Sequence, residues 1–179
     1  AMYLRDLLFA LVLHLSLLYA APALAQSSQP IAAAIVEQSG FDYDQALALS
    51  QAAIGKPVSD VQFTASSGHR VSLSEFRGKP LVVSMVYTSC YQICPMTTRF
   101  LSEVVDKARS ALGDDSFAIA VVGFDTQVDT PVAMQYFANN QGVGDKDWHL
   151  LSAGAVEIEQ LSGDLGFQYF PSSNGFDHL

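Results

Sequence analysis

Apolar residues follow three kinds of pattern along this chain, and each pattern predicts a different element. A nearly unbroken apolar stretch runs from Leu7 to Leu24. Two shorter runs of β-formers, Leu81–Tyr87 and Phe117–Phe124, predict strands buried on both faces. Apolar residues three and four positions apart predict a helix over Pro95–Leu112, which Gly113 ends.

Weaker patterns extend the alternation of strands and helices. They predict, in chain order, a helix at Asp42–Ala53, a hairpin of Val58–Thr64 and Arg70–Leu73, a helix from Pro131 to about Asn139 with Thr130 as its cap, a strand at Trp148–Leu151, a helix at Ala155–Gly163 and a strand at Phe167–Phe170. Strands that alternate with helices indicate an α/β fold. We therefore expect a central, mostly parallel sheet flanked by helices, with the hairpin as an N-terminal extension.

The apolar stretch at the beginning of the chain has the order of a secretory signal. Arg5 precedes it, and Ala23-Leu24-Ala25 ends it with the small-residue pattern of a cleavage site. An uncleaved membrane anchor is the alternative, because about 18 apolar residues are enough to span a bilayer. We expect an exported protein, either free in the periplasm or anchored in the inner membrane and facing the periplasm.

Three regions follow from these patterns. Residues 1–25 are the signal peptide or anchor, residues 26–54 are a tether with a short helix, and residues 55–179 are one folded domain. No pattern after Phe170 predicts another element, so we expect the chain to end on a loop with its C-terminal part truncated.

Composition narrows the classes of function. Apolar residues make up 50% of the chain and charged residues 15%, which excludes a disordered protein. The net charge of -9 excludes a nucleic-acid binder, which needs a basic face, and favours a basic or cationic partner. The chain has only two cysteines, so a disulfide-dense scaffold and a four-thiolate metal site are also excluded.

The two cysteines form the motif Cys90-x-x-x-Cys94-Pro95, between the end of a predicted buried strand and the start of a predicted helix. Ligands bind beyond the carboxyl ends of strands in open α/β sheets, so the location favours function. We expect Pro95 to be the first helical residue and Cys94 to lie near the cap. Unpaired amides at the helix end stabilise thiolates, so both thiols are expected to be more acidic than a free cysteine, whose pKa is about 8.5.

The spacing alone leaves several kinds of chemistry open. The pair can form a structural disulfide, act as a redox dithiol, or hold a soft metal ion such as Cu(I) or Zn. Structural zinc needs four protein ligands. Cu(I) accepts fewer ligands, and two thiolates with one imidazole suit it.

Residues 78–90 (GKPLVVSMVYTSC), followed by Ile93-Cys94-Pro95-Met96-Thr97, resemble the Sco/SenC family. The similarity covers roughly residues 55–179 and includes Asp125–Pro131 (DTQVDTP) and Phe176-Asp177-His178. It implies a thioredoxin-like fold and a copper chaperone that assists assembly of the CuA centre of cytochrome c oxidase. Some members act as thiol-disulfide reductases.

The resemblance also assigns residues. It implies that Cys90 and Cys94 are copper ligands and a redox dithiol, and that His178, on a late loop, is the third copper ligand. Asp125 and Asp129 match motif positions, where they would orient the site or dock a partner. For Asp129 the alternative is a role at the start of the helix that begins at Pro131.

Family members close their fold with further strands and a terminal helix after the Asp-His loop. This sequence has neither, so we expect the C-terminal strands and helix to be missing and a sheet edge and core surface to be exposed.

Other side chains near these motifs have local interpretations. We expect His69 to be exposed in the hairpin turn, His149 to be packed or at the surface, Met85 to be core, Met96 to pack rather than touch a metal, and Tyr91 and Gln92 to lie where a partner approaches.

Three functions compete. The leading one is a metallochaperone that binds copper, as Cu(I) and with Cu(II) left open, and delivers it to the CuA-bearing subunit of cytochrome c oxidase. The alternative is a thiol-disulfide reductase, in which Cys90 attacks and His178 is dispensable. The third is a redox sensor with no copper and no transfer partner. A copper donor or a thiol reductant protein is a further expected partner, and whether the protein is an enzyme stays open.

Overall fold

The structure is a computed structural model that describes residues 40–179. The predicted signal peptide or anchor, and the tether up to residue 39, lie outside the described residues, so export and anchoring remain predictions. In the described part of the chain, no helix combines the length and the apolar character needed to cross a membrane.

The predicted order of strands and helices is confirmed. The elements are α1 (Tyr43–Ala53), β1 (Gln62–Ala65), β2 (Arg70–Ser72), a 3-10 turn (Leu73–Phe76), β3 (Leu81–Val86), α2 (Ile93–Leu112), β4 (Ala118–Gly123), α3 (Pro131–Gln141), β5 (His149–Ser152), α4 (Ala155–Leu165), β6 (Tyr169–Ser172) and β7 (Gly175–His178).

Side-chain caps explain where two of the helices begin. The Asp42 carboxylate accepts a hydrogen bond from the Gln45 N–H at 2.9 Å and caps α1. Thr130 caps α3 in the same way, and Pro131 is the first helical residue, as predicted.

Five strands of the described chain form one sheet in the order β2-β1-β5-β4-β3. The strands β5, β4 and β3 are parallel, and the hairpin β1–β2 joins the sheet antiparallel at β5. All six residues of β4 are buried. The predicted α/β architecture with an N-terminal hairpin extension is therefore confirmed, and the fully buried β4 lies between β5 and β3.

Strand β3 is the last strand on its side of the sheet. A groove opens on each face beside it. On one face Val83 lines a groove with Leu161, and on the other Val82 lines a groove with Val104. Within residues 40–179, β3 is therefore an edge strand with partly exposed side chains, and it is the strand that leads to the cysteines.

Helix α2 begins at Ile93, two residues earlier than predicted, with Gln92 at its N-cap. Cys94 therefore lies inside the first turn, and Pro95 is the third helical residue. The first N–H groups of a helix have no partner within the helix, so proline is tolerated throughout this turn.

One face of α2 is more exposed than its apolar spacing predicts. Cys94 and Val105 are buried, but a stripe of apolar residues beside them is exposed. We call it the α2 stripe, and its members are Ile93, Met96, Phe100, Val104 and Leu112.

The end of the described chain is a β-hairpin rather than a loop. Strand β6 pairs antiparallel with β7, with Tyr169 opposite His178. The predicted strand at Phe167–Phe170 is shifted by two residues, and β7 was missed because its four residues are too short for an alternation pattern. The Asn174-Gly175 dipeptide was the available signal, since it favours a tight turn.

Candidate functional site

The two cysteines are adjacent free thiols at the junction of β3 and α2. The Cys90 N–H donates to the Tyr87 carbonyl at 3.1 Å, which closes a turn after β3. The Cys94 N–H donates to Cys90 Sγ at 3.3 Å, so the Cys90 sulfur lies against the first turn of α2. Cys90 is half-buried and Cys94 is 3% exposed.

The surroundings of Cys90 favour its thiolate. Partial burial alone raises its pKa, but backbone N–H groups of Cys94 and Gln92, the Cys94 thiol and the Tyr87 side chain donate hydrogen bonds to the sulfur. Together these donors hold the pKa of Cys90 below its ordinary value. Cys90 is therefore the more exposed and more acidic thiol of the pair.

Cys94 behaves in the opposite way. Its burial is the main reason why the pKa of its thiol is raised to about 12, and the neighbouring Cys90 and Asp129 add to the effect. The expectation that both thiols are acidic is wrong for Cys94, because burial outweighs the helix N-terminus. The pair thus combines an accessible, acidic thiol with a buried, protonated one.

Tyr87 connects the cysteines to the C-terminal hairpin. Its side chain is 6% exposed, and burial and the interaction with Cys90 raise its pKa to about 12. The Phe176 N–H donates to its hydroxyl. A Cβ at Gly175 would lie 2.8 Å from the Tyr87 hydroxyl oxygen, so this approach of β7 requires glycine.

His178 lies near Tyr87, in a cluster of aromatic rings. The members of this cluster are Tyr87, Phe124, Phe167, Tyr169, Phe176 and His178. The centroids of the His178 and Tyr87 rings are 6.2 Å apart. Burial lowers the pKa of His178, although Asp177 opposes the shift, so the neutral imidazole is favoured.

The structure brings Cys90 and Cys94 together, and Tyr87 interacts with both cysteines and lies near the His178 ring. Within residues 40–179, no three or more Cys, His, Asp or Glu side chains form a group that could hold a metal ion. The ligand set of Cys90, Cys94 and His178 therefore remains a prediction.

Asp129 lies beneath the cysteine turn and is 3% exposed. Its carboxylate accepts hydrogen bonds from the Thr88 N–H at 2.8 Å, from the Thr88 hydroxyl at 2.7 Å and from the Asp125 N–H at 2.9 Å. Burial nevertheless raises the pKa of Asp129. Thr130 supplies the side-chain cap of α3, so the Asp129 side chain serves the cysteine turn instead.

The remaining candidates have mostly the expected positions. His69 is exposed in the hairpin turn, His149 packs edge-to-face on Phe76, and Met85 packs on the core. Met96 is 62% exposed, so the expectation that it packs is wrong. Tyr91, at 97% exposed, lies in the loop between the cysteines, as expected.

Two residues of the site had no role assigned from sequence. Tyr87 contacts both cysteines, and Thr88 binds Asp129, 41 positions away. Their position between a buried strand and the first cysteine was the available signal. Their partners depend on contacts that no local pattern contains.

The SCO1/SenC family model matches residues 51–163. The chain belongs to the SCO1/SenC family. A SCO1 protein homolog of Bacillus subtilis (strain 168) is 24% identical over 103 residues, which are 56% of this chain and 51% of that protein. The chain therefore spans about half the length of this relative.

Solved structures similar to this SCO1/SenC chain have the same fold. A putative electron transfer protein from Aquifex aeolicus VF5 is 28% identical, with a TM-score of 0.60 over 66% of this chain and 69% of that one. Bradyrhizobium japonicum ScoI with copper bound is 24% identical, with a TM-score of 0.58 over 69% of this chain and 79% of that one. BsSco is described as a member of the Sco family of cytochrome c oxidase assembly proteins, in which a disulfide switch was identified. It is 24% identical, with a TM-score of 0.53 over 61% of this chain and 63% of that one. The thioredoxin-like fold is thereby confirmed.

Proposed function

We propose that this chain is a copper metallochaperone, with copper as its cargo and Cys90, Cys94 and His178 as the ligands. The observation that carries the proposal is a pair of adjacent free thiols after β3 in a SCO1/SenC chain. Thiolate sulfur is a ligand type that Cu(I) prefers. The Sco protein with bound copper that shares this fold supports the same cargo.

The two thiols have different parts in capture. Cys90 provides a thiolate at lower pH than an ordinary cysteine does, because its pKa is lowered. Cys94 must lose its proton to the solvent, because its pKa is about 12. Copper binding therefore releases protons and strengthens as pH rises. The neutral imidazole of His178 is the form that binds a metal. For His178 to join the two sulfurs, β7 or the cysteine turn must move.

Delivery takes place by ligand exchange, in which thiolates of the acceptor replace Cys90 and Cys94 one at a time. The acceptor that we propose is the CuA-bearing subunit of cytochrome c oxidase, in agreement with the assembly role described for BsSco. The approach is open, because Tyr91 and Ile93 beside Cys90 are exposed.

Thiol-disulfide reduction is the second candidate, and the contrast between the two thiols favours it. The Cys90 thiolate attacks an acceptor disulfide and releases one acceptor thiolate. Cys94, after losing its proton, attacks the Cys90 sulfur of the mixed disulfide and releases the second. The acceptor gains two electrons, the chain keeps the disulfide, and a thiol reductant protein must reduce it again.

Anaerobic copper retention tests the first function. The reduced chain, checked for folding by near-UV dichroism, is loaded with Cu(I) and desalted. We expect about one copper per chain, since a Cu(I) ion takes both thiolates. Cys90→Ser and Cys94→Ser should retain none. His178→Ala should lose most of the copper, whereas the matched control His69→Ala, in an exposed turn, should retain it.

Each result decides a separate point. A folded parent chain that retains no copper contradicts the metallochaperone and leaves the reductase. Copper retained equally by His178→Ala and His69→Ala removes His178 from the ligand set.

A further inference from the structure

Asp129 joins two segments that are far apart in sequence. Its Oδ1 accepts both hydrogen bonds from Thr88, and its Oδ2 accepts the one from Asp125. A buried carboxylate costs free energy unless such bonds compensate it. The Asp129 carboxylate is therefore held in place by three hydrogen bonds, two of which come from the cysteine turn.

Thr88 is the point at which this carboxylate controls the turn. Strand β3 ends at Val86, and the next residues, up to Cys90, form a turn closed by the bond from the Cys90 N–H to the Tyr87 carbonyl. Asp129 holds both the backbone and the side chain of Thr88. Rotation of the turn away from α2 would break two hydrogen bonds to a buried charge, which are stronger than ordinary ones.

The backbone of Asp129 is also fixed by its neighbours. Its own N–H donates to the Asp125 carbonyl at 2.8 Å, and the capped first turn of α3 follows it. A Cβ at Gly123 would lie 2.5 Å from Asp129 Cβ, so β4 and Asp129 approach each other closely only because residue 123 is glycine. Asp129 is thus a rigid support for the turn.

We infer that Asp129 is a positioning residue for the dithiol: by holding Thr88, it keeps Cys90 Sγ against the first turn of α2 and raises the effective concentration of Cys90 toward Cys94. This inference deepens the proposed function, since the same two sulfurs serve both. It assigns to Asp129 a role distinct from capping α3.

The test is a thiol-disulfide equilibrium of the whole chain with glutathione, in the absence of copper. Oxidised glutathione takes two electrons and two protons from the dithiol, which leaves one Cys90–Cys94 bond and two reduced glutathione molecules. The equilibrium constant gives the effective concentration of the two thiols. We expect Asp129→Ala and Thr88→Val to lower it by about tenfold, since orientation is lost. Thr88→Ser, which keeps the hydroxyl, should retain the parent value.

Further variants separate positioning from general loss of stability. Ile158→Ala removes a fully buried side chain on α4, away from the cysteine turn, and should destabilise the chain without changing the effective concentration. The double variant Asp129→Ala/Thr88→Val should be no worse than Asp129→Ala alone, because the hydroxyl bond that Thr88→Val removes is already lost with the Asp129 carboxylate.

The possible results differ clearly. Values within twofold of the parent for folded Thr88→Val overturn the inference, as does an equal fall for Ile158→Ala. If Asp129→Ala does not fold, the comparison of the effective concentrations of Thr88→Val and Thr88→Ser tests the inference: equal values overturn it. Because copper is absent, failure of this test leaves the copper proposal standing, and a chain that retains no copper still gives a readable equilibrium.

Discussion

At the scale of single residues, Cys90 and Cys94 show how position decides the chemistry of one side chain. Both are thiols near the start of α2, yet the pKa of Cys90 is lowered and that of Cys94 is raised. Cys90 faces several hydrogen-bond donors, whereas Cys94 points into the core. The different acidity of the two thiols follows from this difference in burial and in hydrogen-bond donors.

This difference predicts the pH dependence of alkylation. An acid with a lowered pKa keeps its thiolate to lower pH, so Cys90 in the reduced chain should react with iodoacetamide below the pH range of an ordinary cysteine. Cys94, whose pKa is about 12, should stay unreacted until strongly alkaline pH. Alkylation rates against pH, followed by mass spectrometry, measure both.

Single-cysteine variants provide the control for this profile. Cys94→Ser leaves the backbone donors of Cys90 in place, and Cys90→Ser leaves Cys94 buried. The midpoint of the alkylation rate against pH should therefore lie at lower pH for Cys94→Ser than for Cys90→Ser. Equal midpoints would contradict the assignment of roles.

At the scale of elements, the site depends on how closely β4 approaches the first turn of α3. Gly123 ends β4, and a Cβ there would lie 2.5 Å from Asp129 Cβ and 2.8 Å from Met134 Sδ. Met134 is fully buried, so it has little room to move away. The glycine thereby allows the strand and the helix to hold Asp129 between them.

Gly123→Ala should therefore lower the free energy of unfolding by about 1–3 kcal/mol, the range for overpacking a core. Gly163→Ala in α4 is the matched control, because its new Cβ meets nothing within 4 Å. An exposed helical glycine replaced by alanine should raise stability by up to about 1 kcal/mol. Urea unfolding measures both, and an unchanged or higher midpoint for Gly123→Ala would contradict the packing argument.

At the scale of the whole molecule, a strongly acidic chain contains an open, uncharged strand edge. The net charge is -9, yet β3 reads LVVSMV and lies at the end of the sheet, beside a groove lined almost entirely by apolar side chains. An edge without charge or proline is prone to pair with another chain. Long-range repulsion between acidic chains opposes that pairing and weakens as salt rises.

We therefore expect this 179-residue chain to associate at high concentration, more strongly at high salt. Val82→Lys should reduce the association by placing a charge on the edge strand. Val132→Lys, on the exposed surface of α3, is the matched control and should leave it unchanged. Sedimentation velocity over a range of concentrations checks this. Equal effects of both variants would indicate non-specific association that does not depend on the β3 edge.

Much of the fold was predictable, because its signals are local. The buried runs at β3 and β4, the Thr130-Pro131 start of α3 and the glycine after α2 each specify an element within a few residues. The exposed α2 stripe was not predictable, since its spacing resembles that of a buried face. The β7 strand was missed because four residues carry too little periodicity.

The chemical identity of the site follows from sequence alone, because the motif around Cys90 and Cys94 lies within one short segment and was recognisable as Sco/SenC. The difference between the two thiols depends on tertiary structure, since it arises from burial that only the packed sheet and helix create. The same holds for the bonds from Thr88 to Asp129 and for the position of His178 against Tyr87. These contacts join residues tens of positions apart, and chain folding alone brings them together.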